Sequence, residues 1–174
     1  LVDAQNGGWS IITLDGINDW DIAGDGNTNS TVSAFVSSDT DDVADKSIVT
    51  KSFSPSQTSI LSFYHKFQFE DGFDGGVLEI SNDEGATWLD LGSQIITGNI
   101  YNSTISSCCD NPLSGRNAWS DDLNAYSLVE VDLSPYAADL VNIRWRMGTD
   151  FSVSAGDWKI DDIVVTNAGA FGVC

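Results

Sequence analysis

Carboxylates dominate the side chains able to do chemistry. The chain carries 26 acidic residues against seven Lys and Arg and one His, and 22 of the acids are Asp and only four are Glu. Asp is a residue of turns and hard-cation sites rather than of solvated helices. Glu70-Asp71-Gly72-Phe73-Asp74 ends an aromatic run with three carboxylates among glycines. Such charges repel unless something neutralises them, and calcium, which takes roughly six to eight oxygen ligands, tolerates an irregular loop. A solvated acidic turn is the competing reading. Asp161-Asp162 interrupts the apolar run from Trp158 to Val165. Adjacent strand residues point to opposite faces, so one of the two carboxylates faces inward and needs a metal or an Arg such as Arg144 or Arg146. With few cations in the chain, a metal is the preferred partner. Asp25-Gly26-Asn27-Thr28-Asn29 sets an acid and two amides at alternate positions, as a calcium loop opens, but lacks the later Gly and Glu, so a plain Asn/Gly loop competes. Asp39-Thr40-Asp41-Asp42 is a weaker segment of the same kind. The expected cofactor is therefore Ca2+, with Glu70, Asp71, Asp74, Asp161, Asp162, Asp25 and Asn27 as candidate ligands.

Catalytic combinations are scarce. The one His, His65, lies on the Phe-rich side of an alternating run and reads as a core residue, which leaves no base for a Ser-His-Asp site. No enzyme is expected. Trp20, Tyr101, Trp119, Tyr126 and Phe151 fall in polar loop segments, where rings stack on sugars or anchor protein partners; each also reads as a satellite core residue. The first four are the candidate ligand-binding residues. Cys108, Cys109 and Cys174 admit one disulfide and one spare thiol, either to the C-terminus or within the adjacent pair. The formal charge of -19 opposes nucleic acid and anionic membrane surfaces.

The elements that would position these residues are strands. Short apolar or alternating runs separated by Gly, Asn, Asp and Ser recur along the chain. Strands are predicted near 9–14, 32–37, 47–53, 59–69, 76–81, 87–91, 128–133, 141–147 and 157–166, with a helical turn near Pro135. Leu61, Phe63, His65, Phe67 and Phe69 share one face; Val141, Ile143, Trp145 and Met147 share another, opposite Asn142, Arg144 and Arg146. About nine strands imply an all-β fold of two packed antiparallel sheets, a sandwich of jelly-roll type. Residues 98–123 form the longest stretch without a clear strand, and such a loop is usually functional or locally braced. Ser81-Asn82-Asp83-Glu84-Gly85-Ala86-Thr87-Trp88 fits an Asp box, a hairpin device that speaks for local folding. No stretch approaches the roughly 20 apolar residues of a membrane span. The start at Leu1 and the small-residue stretch after residue 166 read as a mature domain cut from a longer chain, with residues 1–166 as one domain and 167–174 as a linker or tail.

The order Leu61-Ser62-Phe63-Tyr64-His65, then Phe69 through Ser81, then the Asp box, resembles the MAM-like jelly-roll domain of secreted bacterial proteins, notably the C-terminal part of immune inhibitor A-type M6 metallopeptidases. Asn111 to Arg116, Val141 to Arg146 and Trp158 to Ile163 extend the resemblance, which covers residues 45–166. It implies a secreted or cell-surface accessory domain, with calcium common in related jelly rolls. No H-E-x-x-H motif occurs, so peptidase activity does not carry over, and the Cys108-Cys109 pair departs from the pattern. The resulting expectation is a non-catalytic binding or adhesion module that recognises a glycan or an extracellular protein beside neighbouring domains of its own chain. The alternative is an architectural subunit, packed on a protease or self-associated through a sheet edge or the spare thiol.

Overall fold

The computed structural model describes residues 8–17, 19–24, 29 and 33–168. Its strands are β1 (Ser10–Asp15), β2 (Asp21–Ala23), β3 (Ala34–Ser38), β4 (Ala44–Val49), β5 (Ile60–Gln68), β6 (Gly75–Ser81), β7 (Leu89–Asp90), β8 (Ile95–Gly98), β9 (Ser103–Thr104), β10 (Asn117–Ala118), β11 (Asp122–Asp132), β12 (Asn142–Thr149) and β13 (Asp157–Val165). Among the described residues there are also two 3-10 turns, Gly92–Gln94 and Ser134–Tyr136, the second where Pro135 announces a helical turn.

The strands form a five-stranded antiparallel sheet, β1-β4-β12-β6-β7, and a six-stranded one, β2-β3-β13-β5-β11-β8; β9 and β10 pair separately. Alternation explains how the sheets meet. On β5, Leu61, Phe63, His65 and Phe67 are buried while their neighbours are partly exposed, and on β12 Ile143, Trp145 and Met147 are fully buried. These faces join Leu78, Ile80, Val129, Trp158 and Ile160 in one core. Two apolar sheet faces closed on each other are the all-β jelly-roll sandwich that the periodicity demands.

The segment 98–123 is braced. Ile105, Leu113 and Ala118 pack with Val77 on the side of β6 away from the main core, and Trp119 crosses into that core. Close approach requires glycine here. Gly76 exchanges backbone hydrogen bonds with Trp119, each 2.9 Å, and a Cβ on Gly76 would stand 2.6 Å from the Trp158 ring. Glu79 lies on the same side of β6 as Val77. It accepts from Arg144 Nε at 2.5 Å and Arg116 Nη1 at 2.6 Å, while Arg146 grips Asp45 through two bonds of 2.7 and 2.6 Å. Both β12 arginines are thus committed within the five-stranded sheet and do not neutralise Asp161 or Asp162, which belong to the other.

Residues 81–88 form a closed hairpin turn between β6 and β7. Ser81 Oγ donates to Asp83, Asp83 accepts from Thr87 N and Oγ1 at 2.8 and 2.6 Å, and Trp88 Nε1 returns to the Gly85 carbonyl. The Thr87 and Ser81 bonds hold the Asp83 carboxyl down at about 2.

Candidate metal centre

Four acids meet at one end of the sandwich, each just outside a strand. Asp39 follows β3, Glu70 follows β5, Asp74 precedes β6 and Asp150 follows β12. The register that pairs Gly75 with Gly148 brings Asp74 beside Asp150. Carboxylate oxygens of Glu70, Asp74 and Asp150 lie within 4.8 Å of one another. The Asp39 carboxyl borders the group, and its charge acts on both Asp74 and Glu70.

Burial here is nearly complete, with Asp74 at 0%, Asp150 at 1% and Asp39 at 5% exposure. One oxygen of each of the four acids, Asp39 Oδ1, Glu70 Oε2, Asp74 Oδ2 and Asp150 Oδ2, is buried without a hydrogen-bond partner. An orphaned buried carboxylate oxygen is costly, and several close together are costlier still. Burial, with the Asp39 charge beside it, pushes the Asp74 carboxyl up to about 9. Burial likewise raises Asp39, and burial with the Asp150 charge raises Glu70. An all-oxygen, anionic and irregular cradle fits a hard divalent cation.

Other bonds fix the cradle. The 70–74 turn closes through Phe73 N and Asp74 N onto the Glu70 carbonyl, and Ser120 Oγ accepts from Gly72 N and donates to the Asp74 carbonyl. Asp74 Oδ1 accepts from Asp150 N at 2.6 Å, and Asp39 Oδ2 accepts from Ala155 N. Asn111, 3% exposed, spans both strand ends: its Nδ2 donates to the Phe73 carbonyl at 2.7 Å, the Gly148 carbonyl at 2.9 Å and Asp74 Oδ1 at 3.2 Å.

The candidate residues distribute as follows. Glu70 and Asp74 lie in the cluster, whereas Asp71, in the same turn, is exposed outside it. Asp39 comes from the weaker acidic segment, and Asp150 carries no local sequence signal at all. Asp161 and Asp162 sit apart at a bulge in β13, where Asp162 has φ 51, and accept from Asn29 N and Nδ2 at 2.9 and 2.8 Å. Asp25, Asn27 and Cys174 lie outside the described residues. Trp20 and Trp119 are corrected from loop platforms to core: they are 4% and 0% exposed, Trp20 packs on Trp158, and Trp119 Nε1 donates to the Asn99 carbonyl. Their polar neighbours in sequence concealed rings that turn inward. Tyr101 is half-buried with its hydroxyl bound to Leu78 N at 2.8 Å, and half-buried Tyr126 lies under the Lys66 ammonium, 5.0 Å from its ring centre. Phe151 is exposed beside Asp150. Cys108 and Cys109 are joined to each other.

A groove of about 1010 Å³ lies beside the braced segment, lined among others by Asp90, Ile100, Tyr101, Thr104, Arg116 and Asn117. Arg116 is committed there to Glu79 and Asp90, both at 2.6 Å.

No protein-family model and no curated protein matches the sequence. Among solved structures, the carbohydrate-binding module TmCBM61, described in complex with β-1,4-galactotriose, is similar with a TM-score of 0.56 and 13% identity over 91% of this chain and 88% of that one. The K2 cleaved adhesin domain of Lys-gingipain gives 0.56 and 16% over 92% and 89%. The glycoside hydrolase domain of Endo-D from Streptococcus pneumoniae R6 gives 0.55 and 11%, over 91% of this chain but 22% of that one. The chain therefore shares the β-sandwich fold that carbohydrate-binding and adhesin domains use.

Proposed function

We propose that this chain is a non-catalytic binding module of a secreted bacterial multidomain protein, with calcium holding the loop end of the sandwich. The observation that carries the calcium reading is the set of four buried, partnerless carboxylate oxygens from Asp39, Glu70, Asp74 and Asp150. Bound there, the cation supplies positive charge to acids that, among the described residues, form no ion pair with Lys or Arg. The MAM-like resemblance supports the same accessory role.

Calcium should raise the melting temperature of the chelator-treated protein. Asp74→Asn should remove that rise and, by relieving buried like charge, raise the melting temperature of the cation-free protein. A melting curve indifferent to chelator and calcium would overturn the reading.

The partner we favour is a neutral glycan, lodged in the groove by Tyr101, Asn117 and Thr104. The net charge of -19 opposes acidic sugars, and Arg116 is already saturated by two carboxylates. The fold likeness to a galactotriose-binding module supports a sugar ligand. Titration of a neutral oligosaccharide panel, with Asn117→Ala and Ile100→Ala as groove variants, tests it. Binding that survives both substitutions, or no binding across the panel, would overturn the groove as the site.

A second reading, self-association, is favoured by β1. It is an edge strand exposing Ile11 at 56% and Leu14 at 60%, the kind of edge that pairs with another chain. Sedimentation that stays monomeric at high concentration would remove it.

A further inference from the structure

The Cys108–Cys109 bond sits where it can report on the acid cluster. Cys108 is exposed and Cys109 half-exposed, so the bond is open to a solute. Cys109 and Asp110 both hold left-handed backbone, φ 71 and φ 62, a conformation that non-glycine residues adopt reluctantly. The next residue is Asn111, whose Nδ2 ties the Phe73 carbonyl, the Gly148 carbonyl and Asp74 Oδ1 together. A bond between neighbouring cysteines closes a small ring that includes their peptide, so it restricts the backbone entering Cys109. With the ring open, Cys109 and Asp110 are free to return to negative φ, and such a change re-aims the buried amide two residues on.

We infer that Cys108–Cys109 is a thiol-reactive site whose reduction loosens the cation cluster through Asn111. This rests on the calcium reading above. The reductant is a dithiol. Its thiolate attacks Cys109 Sγ, the S–S bond breaks, and the electron pair leaves on Cys108 Sγ, towards which the Ser106 hydroxyl already donates at 3.3 Å. The second thiol then attacks the mixed disulfide and releases Cys109 as thiolate. The reductant departs as its own cyclic disulfide, and the protein has gained two electrons and, once both thiolates are protonated, two protons. Oxidation by a disulfide of the same class reverses each step.

Coupling of this kind is reciprocal. If reduction weakens calcium binding roughly tenfold, within the usual range for linked sites, then saturating calcium must make the disulfide tenfold harder to reduce, about 30 mV for a two-electron couple. The test is calcium titration calorimetry on the full chain before and after dithiol treatment, with the redox state verified by mass, alongside redox equilibration with and without calcium. The expected result is weaker calcium binding in the reduced protein and a more negative reduction potential in the presence of calcium. Asn111→Ala should weaken calcium binding in the oxidised protein and abolish the further loss on reduction. Equal calcium affinity in both redox states, or a potential indifferent to calcium, overturns this inference and leaves the calcium reading intact. An oxidised protein that binds no calcium overturns both.

Discussion

His65 shows at the level of one residue how the core decides chemistry. The Trp158 indole nitrogen can only donate, so His65 Nδ1 accepts from it at 3.4 Å, and Nε2 carries the proton that goes to Asn99 Oδ1 at 3.0 Å. Packed among Phe63, Phe67, Trp119 and Trp158, the imidazole is held neutral, with burial pushing it down to about 3. The folded chain thus refuses a proton that the unfolded chain takes up near pH 6.5. Stability from this group is complete above pH 6.5 and falls as pH drops towards 3, by up to about 1.4 kcal/mol per pH unit. The raised Asp74 carboxyl works the other way over the same range, so the His65 contribution is read by comparison: in denaturant unfolding between pH 7.5 and pH 5 the parent should lose stability relative to His65→Gln, which keeps a donor towards Asn99. An equal pH dependence in parent and variant would remove His65 as a contributor. The location of His65 was legible in sequence because alternation placed it among Leu61, Phe63 and Phe67. Its hydrogen-bond partners were not, because Asn99 and Trp158 arrive from other strands and turns.

At the level of elements, legibility followed burial. The runs that became β5, β6, β12 and β13 bury one face or both and therefore alternate or read as apolar, and their positions in sequence and structure agree closely. β8, β9 and β10 did not announce themselves because they are short and largely exposed. β11 starts at Asp122, well before its apolar part, since its first half pairs with β5 beyond an irregular register. The close meeting of β6 with the braced segment invites two substitutions. Gly76→Ala must displace the buried Trp158 ring and should cost about 1–3 kcal/mol. Gly115→Ala, with φ +74 but open space around it, should cost only the backbone term, about 1 kcal/mol. Paired denaturation curves would compare them directly, and a smaller loss at Gly76 would contradict the packing assigned to Trp158.

On the scale of the whole molecule, the acid cluster draws on both sheets: Asp39 and Glu70 adjoin β3 and β5 of the six-stranded sheet, and Asp74 and Asp150 adjoin β6 and β12 of the five-stranded one. That is why Asp150 escaped a reading by local spacing; only the register of β12 on β6 brings it to Asp74. The same arrangement has a consequence for the order of events in folding. Asp39 and Asp150 lie far apart in sequence, so the cradle is complete only after β12 has docked and the sheets have closed. A cation that recognises the finished cradle stabilises the native state more than the transition state that precedes it. Calcium should therefore slow unfolding in stopped-flow experiments while leaving the refolding rate nearly unchanged, and an accelerated refolding limb would mean that the rim assembles early. With the barrier out of the native state raised, the domain would persist in calcium-rich surroundings as a matter of rate, and removal of the ion would shorten its lifetime before any change in its shape.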